Sequence, residues 1–186
     1  MTLAERGFSN IEAIDLDPNR IAELKKNFSE RPEFGKKIKL SVGSLTSLPF
    51  PNETFDLIIC SEVIEHIPED AKAVSELGRV LKKGGTLLLS VPHDSAFQRK
   101  TYKRFLHERP GYTKDTLAKL LLPSGITIQK DMYYEYLLGT RIFNAFNFFK
   151  SKALLGILFY PFYILYLFDA RLKIGEPNYI IIRALK

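Results

Sequence analysis

The run Phe55-Asp56-Leu57-Ile58-Ile59-Cys60 constrains the fold more than any other stretch of this chain. It is short, apolar and rich in branched side chains, with Pro49, Pro51 and Asn52 before it and Ser61-Glu62 after it. Such a run reads as a buried strand of a parallel sheet. Polar residues just past a strand's C-terminal end sit where open α/β sheets bind their ligands. The next segments continue the pattern. Residues 70–81 place Ala73, Val74, Leu77, Val80 and Leu81 at helical spacing, Gly84-Gly85 is expected to stop that helix, and residues 86–91 read as a second buried strand. Strand, helix, double-glycine turn and strand make a βαβ unit.

LPFPNETFDLIICSEVIEHI (48–67) followed by ELGRVLKKGGTLLLSVP (76–92) resembles the small-molecule branch of the class I S-adenosylmethionine-dependent methyltransferases. That family runs from an LPF segment and a Phe-Asp strand to a Glu-His-Ile/Leu turn. It continues through a helix with Arg-Val-Leu-Lys to a Gly-Gly before the next strand. The resemblance implies an α/β fold, a Rossmann-like and mostly parallel sheet with a terminal antiparallel strand pair. It also implies S-adenosylmethionine as cofactor and methyl transfer as the reaction.

Composition is compatible with this. A chain of 186 residues with 46% hydrophobic and 26% charged residues can bury a sizeable core and is not a disordered sequence. The lone cysteine, Cys60, excludes an intramolecular disulfide framework and suits a reducing, cytoplasmic compartment. No apolar leader is visible in MTLAERGFSN. Charge is uneven: residues 1–98 hold 12 Lys/Arg and 15 Asp/Glu, a net of −3, whereas residues 99–186 hold 15 and 6, a net of +9. The basic half is the one expected to meet phosphates or a membrane surface.

Residues 3–7 look like the last turn of a helix closed by Gly7, and residues 10–15 like a strand ending in Asp15. Asp17 and Pro18 then read as N-cap and first residue of a helix with Ile21, Leu24 and Phe28 inward. In dinucleotide-type folds a carboxylate ending this strand accepts hydrogen bonds from ribose hydroxyls. The resemblance gives that role to Asp15 and lays Leu16 against the adenine; the plainer reading of Asp15 is a solvent-facing turn residue. The family also has an earlier central strand and a glycine-rich loop under the cofactor. Neither is visible here: nine residues precede Asn10, and no Gly-x-Gly occurs. The expectation is an N-terminally incomplete methyltransferase, with a short protein completed by a partner as the alternative. The absent strand would leave two sheet edges unpaired.

Residues 38–42 read as the next strand, leading to Gly43, Ser44 and Leu45, which the resemblance places around the adenine. Many relatives carry Asp where Ser44 stands; a hydroxyl still accepts a hydrogen bond, without charge assistance. Cys60, Ser61 and Glu62 fall where the family holds the methionine end of the cofactor. With no adjacent base, Cys60 reads as a buried structural thiol rather than a nucleophile. His66 is the candidate general base, able to take a proton from an acceptor hydroxyl. The alternative is that it only caps or packs this turn. Glu65 is a candidate orienting carboxylate, His93 and Asp94 fall on the site side, and His107 is a candidate second base. No metal ligand is assigned.

Residues 98–109 interleave cations with aromatics, yet no nucleic-acid-binding module accompanies them, so no nucleic acid is expected. A basic face in solvent explains them as well as an anionic acceptor does. Thr113 looks like the N-cap of a helix burying Leu117, Leu120 and Leu121. Residues 126–129 and 179–182 read as the terminal antiparallel pair. Between them lies a hydrophobic helical insertion, 137–177, within what reads as a single, incomplete domain, 1–186. Its segment 153–168 is uncharged, contains Pro161 and is flanked by Lys150, Lys152, Arg171 and Lys173. It falls short of the roughly 20 residues of a spanning helix and suits a membrane interface. A lid, a homodimer interface and a true span are the alternatives.

The function expected is methyl transfer from S-adenosylmethionine to a hydroxyl of a small or lipid- or glycan-linked acceptor, at the inner face of the membrane. Two other classes stay open. One is a catalytically inactive module serving membrane or protein interaction. The other is a nicotinamide-dependent oxidoreductase, against which the segments around Phe55 and Gly84 argue.

Overall fold

The structure is a computed structural model and describes residues 8, 10–30, 37–136 and 175–186. The chain divides into two compact units, Met1–Phe50 and Pro51–Lys186. The hydrophobic insertion expected over 137–177, its segment 153–168 included, lies up to residue 174 outside the described residues, as does the helical turn expected over 3–7.

The first unit is built on a parallel pair, β1 (Ile11–Asp15) and β2 (Ile38–Val42), with Ile11 opposite Ile38 and Asp15 opposite Val42. Helix α1 (Pro18–Ser29) follows β1 at once because its start is specified locally. The Asp17 carboxylate accepts a hydrogen bond from the Asn19 amide (2.8 Å), and Pro18 occupies a first-turn position whose missing N–H costs nothing. Ile21 is buried, and Leu24 and Phe28, one and two turns on, are half-buried.

The second unit is a four-stranded mixed sheet in the order β3-β4-β6-β5. Strand β3 (Phe55–Ser61) runs parallel to β4 (Leu81–Pro92); β6 (Pro177–Leu185) is antiparallel to both β4 and β5 (Thr127–Tyr136). Between β3 and β4 come a 3-10 turn (Ile64–His66) and helix α2 (Asp70–Val80). Helix α3 (Ala96–Thr101) and helix α4 (Lys114–Leu121) precede β5. Thr113 caps α4 as its sequence predicts, in a reciprocal pair with Thr116. Leu117 and Leu121 are fully buried, while Leu120 is half-buried.

The core lies where α2 and α4 cover the sheet. Leu87, Leu89 and Val91 of β4, Ile180, Ile182 and Ala184 of β6, and Ala73, Val74, Leu77 and Val80 of α2 are all buried. Helix α2 comes so close to the turn after α4 that a Cβ on Gly78 would lie 2.6 Å from the Ser124 Cβ. Gly78 is a close-approach glycine.

Two expectations change. Gly84-Gly85 does not end the helix: α2 stops at Val80, Leu81 is already extended and paired with Phe55, and the glycines lie inside β4. Leu81 is fully buried, and that burial pulls it into the sheet five residues early. The glycines form the excursion where the register jumps from Phe55–Leu81 to Leu57–Thr86, with Gly84 at φ +74. Strand β3, read as buried, is only partly so; Ile59 is 48% exposed. The reason is topological, since β3 is an edge strand with β4 as its one hydrogen-bonded neighbour among the described strands.

Candidate functional site

At the end of β1, the Asp15 carboxylate accepts the Asp17 amide (2.9 Å), and Arg20 stands 3.8 Å from its other oxygen. Its carbonyl accepts the Gly43 amide (3.0 Å), which brings the ends of β1 and β2 together. Leu16 projects into solvent, 73% exposed. The Ser44 hydroxyl is engaged within its own turn, 2.9 Å from the Thr46 hydroxyl and within reach of the Thr46 amide (3.3 Å). Asp15, Leu16, Gly43, Ser44 and Leu45 thus share one strand-end surface of the first unit. Cys60, Ser61, Glu62 and His66 belong to the second unit.

At the end of β3 the backbone turns sharply. Glu62 adopts φ +54, a left-handed conformation uncommon for a residue with a side chain. It is held there from both sides: its amide donates to the Ser90 carbonyl (2.9 Å), and its carboxylate accepts the Ser90 hydroxyl (2.6 Å). Burial raises the Glu62 carboxyl above the ordinary range, against the Ser90 hydrogen bond, which lowers it. Cys60 is buried, and burial, followed by the charges of Glu65 and Glu62, pushes its thiol up to about 12. A thiol held neutral in this way is a packing group, as the sequence suggests.

The 3-10 turn then delivers Glu65 inward and His66 outward. Glu65 is fully buried, and neither carboxyl oxygen has a hydrogen-bond donor among the described residues. Burial, with the Glu62 charge adding to it, raises its carboxyl to about 8. Protonated, Glu65 can share that proton with the Glu62 carboxylate; ionised, the two repel. His66 Nδ1 donates to the Leu106 carbonyl (3.1 Å), which turns Nε2 towards Glu65 Oε1, 3.8 Å away. Leu106 is itself left-handed, at φ +59. His107 follows it, packing edge-on against His66 with ring centroids 4.6 Å apart. Burial, then His66, lowers the His107 pKa.

The sequence names Glu65, His66 and His107 separately; the fold makes them one cluster. Three residues support the cluster in roles that the sequence did not show. Ser90 fixes Glu62, and its signal was a lone hydroxyl in the apolar run LLLSVP. Arg109 reaches Asp70 and the carbonyls of Ile67 (3.2 Å) and Pro68 (3.1 Å) and packs on the Tyr112 ring. It locks the turn to α2 and is spent on structure. Tyr112 donates to Asp70 (3.0 Å), and burial together with the Asp70 charge holds its phenol far above the usual range. His93, on β4's far side of the turn, packs edge-on against Tyr133 instead of joining the cluster.

With this geometry in view, the similarities to known proteins are informative. Residues 1–89 match the family model described as a methyltransferase domain. A Mycobacterium tuberculosis protein named a probable S-adenosylmethionine-dependent methyltransferase is 29% identical over 115 residues, 61% of this chain and 39% of that one. YcgJ of Bacillus subtilis, named an uncharacterized methyltransferase, is 34% identical over 79 residues, 42% of this chain and 31% of its own length. The chain therefore spans well under half the length of these relatives. Among solved structures, phosphoethanolamine N-methyltransferase 2 of Haemonchus contortus, in complex with S-adenosylmethionine, superposes with a TM-score of 0.64 at 16% identity. The match covers 95% of this chain and 43% of that one. The chain has the Rossmann-like α/β fold of the class I methyltransferases, as its sequence implied.

Proposed function

We propose that this chain, with its class I methyltransferase fold, takes part in methyl transfer from S-adenosylmethionine to a hydroxyl of a small or lipid- or glycan-linked acceptor. The observation that carries the reading is the turn after β3. There a strained Glu62, a buried Glu65 and a His66 oriented by its Nδ1 hydrogen bond follow the C-terminal end of a parallel strand. Asp15 would accept the ribose hydroxyls and the exposed Leu16 would cover the adenine, with Gly43, Ser44 and Leu45 framing it. Backbone groups of Cys60, Ser61 and Glu62 would hold the methionine end. Methyl transfer from a sulfonium is an in-line displacement, so positioning and desolvation supply much of the rate. Only a weakly acidic acceptor needs help with its proton, and His66 is the group through which that activation passes.

Among the described residues no helix is long and apolar enough to cross a membrane. The uncharged segment 153–168 is what supports an acceptor at a lipid surface, and vesicle flotation tests it: a chain that stays with the soluble fraction at low and high salt removes that part. The alternative reading is a non-catalytic module with the same fold. Titration with S-adenosylhomocysteine separates the two. Binding, followed by methylation of hydroxyl acceptors that His66→Ala abolishes, supports the first; a folded chain that binds no cofactor supports the second.

A further inference from the structure

We propose that Glu65, His66 and His107 form a binding site for one divalent transition-metal ion, with coordination positions left open for an acceptor oxygen. The catalytic use of such an ion rests on the methyl-transfer reading above; the metal site itself does not.

The three side chains each bring one ligand atom into a space where all three lie within 4.8 Å of one another. His66 Nε2 and Glu65 Oε1 are 3.8 Å apart, too far for a hydrogen bond. That spacing is close to the roughly 3.4 Å between ligand atoms around a tetrahedral ion bonded at about 2.1 Å. His66 is prepared for ligation as metal-bound imidazoles are: Nδ1 gives its hydrogen to a backbone carbonyl, which fixes the ring and frees Nε2. His107 Nδ1 is buried and has no hydrogen-bond partner. Glu65 is wholly buried with both oxygens unpartnered, the most expensive arrangement a carboxylate can adopt unless something positive meets it.

The three residues bring ligand atoms into one space, and two of them, Glu65 and His107, carry buried atoms without a partner among the described residues, with the Glu62 carboxylate adding negative potential nearby. A single cation satisfies all of them. Two left-handed residues, Glu62 and Leu106, bracket the cluster, so strained backbone on both sides holds the ligands in place. Two imidazoles and one carboxylate suit zinc and the neighbouring first-row ions, and three protein ligands leave room for an exogenous oxygen. An acceptor hydroxyl bound there loses its proton more readily. His66 then activates the acceptor as a metal ligand and not as the base itself.

The test is calorimetric titration of the full 186-residue chain, stripped with EDTA and desalted, with Zn2+. One saturable ion per chain is expected. Glu65→Gln and His107→Ala should each weaken it by about tenfold or more, and His93→Ala, outside the cluster, should leave it unchanged. Cobalt substitution should give visible d–d absorption that the same two variants abolish. Circular dichroism checks the fold of each variant, and His107→Gln replaces His107→Ala where the latter fails to fold. A folded chain that binds no zinc, or binds it equally well in both variants, overturns the site. Titrating the same samples with S-adenosylhomocysteine keeps the two proposals apart. Zinc without cofactor defeats only the methyl-transfer reading, and cofactor without zinc defeats only this one.

Discussion

Two strand ends in this chain, after β1 in the first unit and after β3 in the second, each close a parallel strand and have opposite physical character. After β1, the polar side chains find partners close by, Asp15 in the Asp17 amide, Asp17 in the Asn19 amide and Ser44 in Thr46, and Leu16 points into solvent. After β3, a carboxyl is buried without a donor, two residues sit in left-handed backbone, and two histidines crowd one another. The first end costs folding nothing and suits the passive holding of a ligand. The second is a reservoir of unfavourable burial that the rest of the unit must offset, and such reservoirs concentrate where chemistry is done.

If that contrast is right, substitutions around β3 move stability and substitutions around β1 move binding. The largest effect belongs to Asp70, which is buried between Arg109 and Tyr112. Asp70→Ala strands a half-buried guanidinium, and chemical denaturation should show a loss of about 3–5 kcal/mol. Next comes the pH dependence of Glu65 in the metal-free chain. Its folded pKa, about 8, lies above the unfolded value near 4.5. The stabilisation from its proton is therefore complete below pH 4.5 and is lost as pH rises through 8, at no more than about 1.4 kcal/mol per unit. Glu65→Gln should flatten that slope and be more stable than the parent at pH 8 in denaturant titrations.

Gly78→Ala should cost about 1–3 kcal/mol, because the new methyl meets the Ser124 Cβ and one of the two elements must shift. The cap at the quiet end gives less: Asp17→Ala removes one hydrogen bond to the Asn19 amide, worth about 1 kcal/mol. Smallest in stability is Asp15→Asn, expected to leave the melting temperature nearly unchanged while weakening S-adenosylhomocysteine binding about tenfold. A large stability loss there, with unchanged binding, would erase the contrast.

The elements that sequence made legible are those whose cause is local. Asp17-Pro18 starts α1 and Thr113 starts α4 because a capping side chain and its target amide lie within three residues. Strands β1, β2 and β3 follow from short branched runs between turn residues. What sequence hid depends on distance along the chain. Nothing in VIEHI says that Glu65 turns inward and His66 outward, because only the packing of Ile64 and Tyr112 decides it. The cluster needs His107, delivered by a turn whose left-handed residue, Leu106, is not the glycine or asparagine that would have announced it. Arg109 read as part of a basic surface, but its ion pair with Asp70 is visible only once α2 is in place.

The measurement closest to the central claim is calorimetric titration of the 186-residue chain with S-adenosylhomocysteine, repeated with Asp15→Asn. One saturable site is expected, which the substitution weakens about tenfold without unfolding the chain. A folded chain that takes up no S-adenosylhomocysteine, or binds it equally well with Asn at position 15, would contradict it.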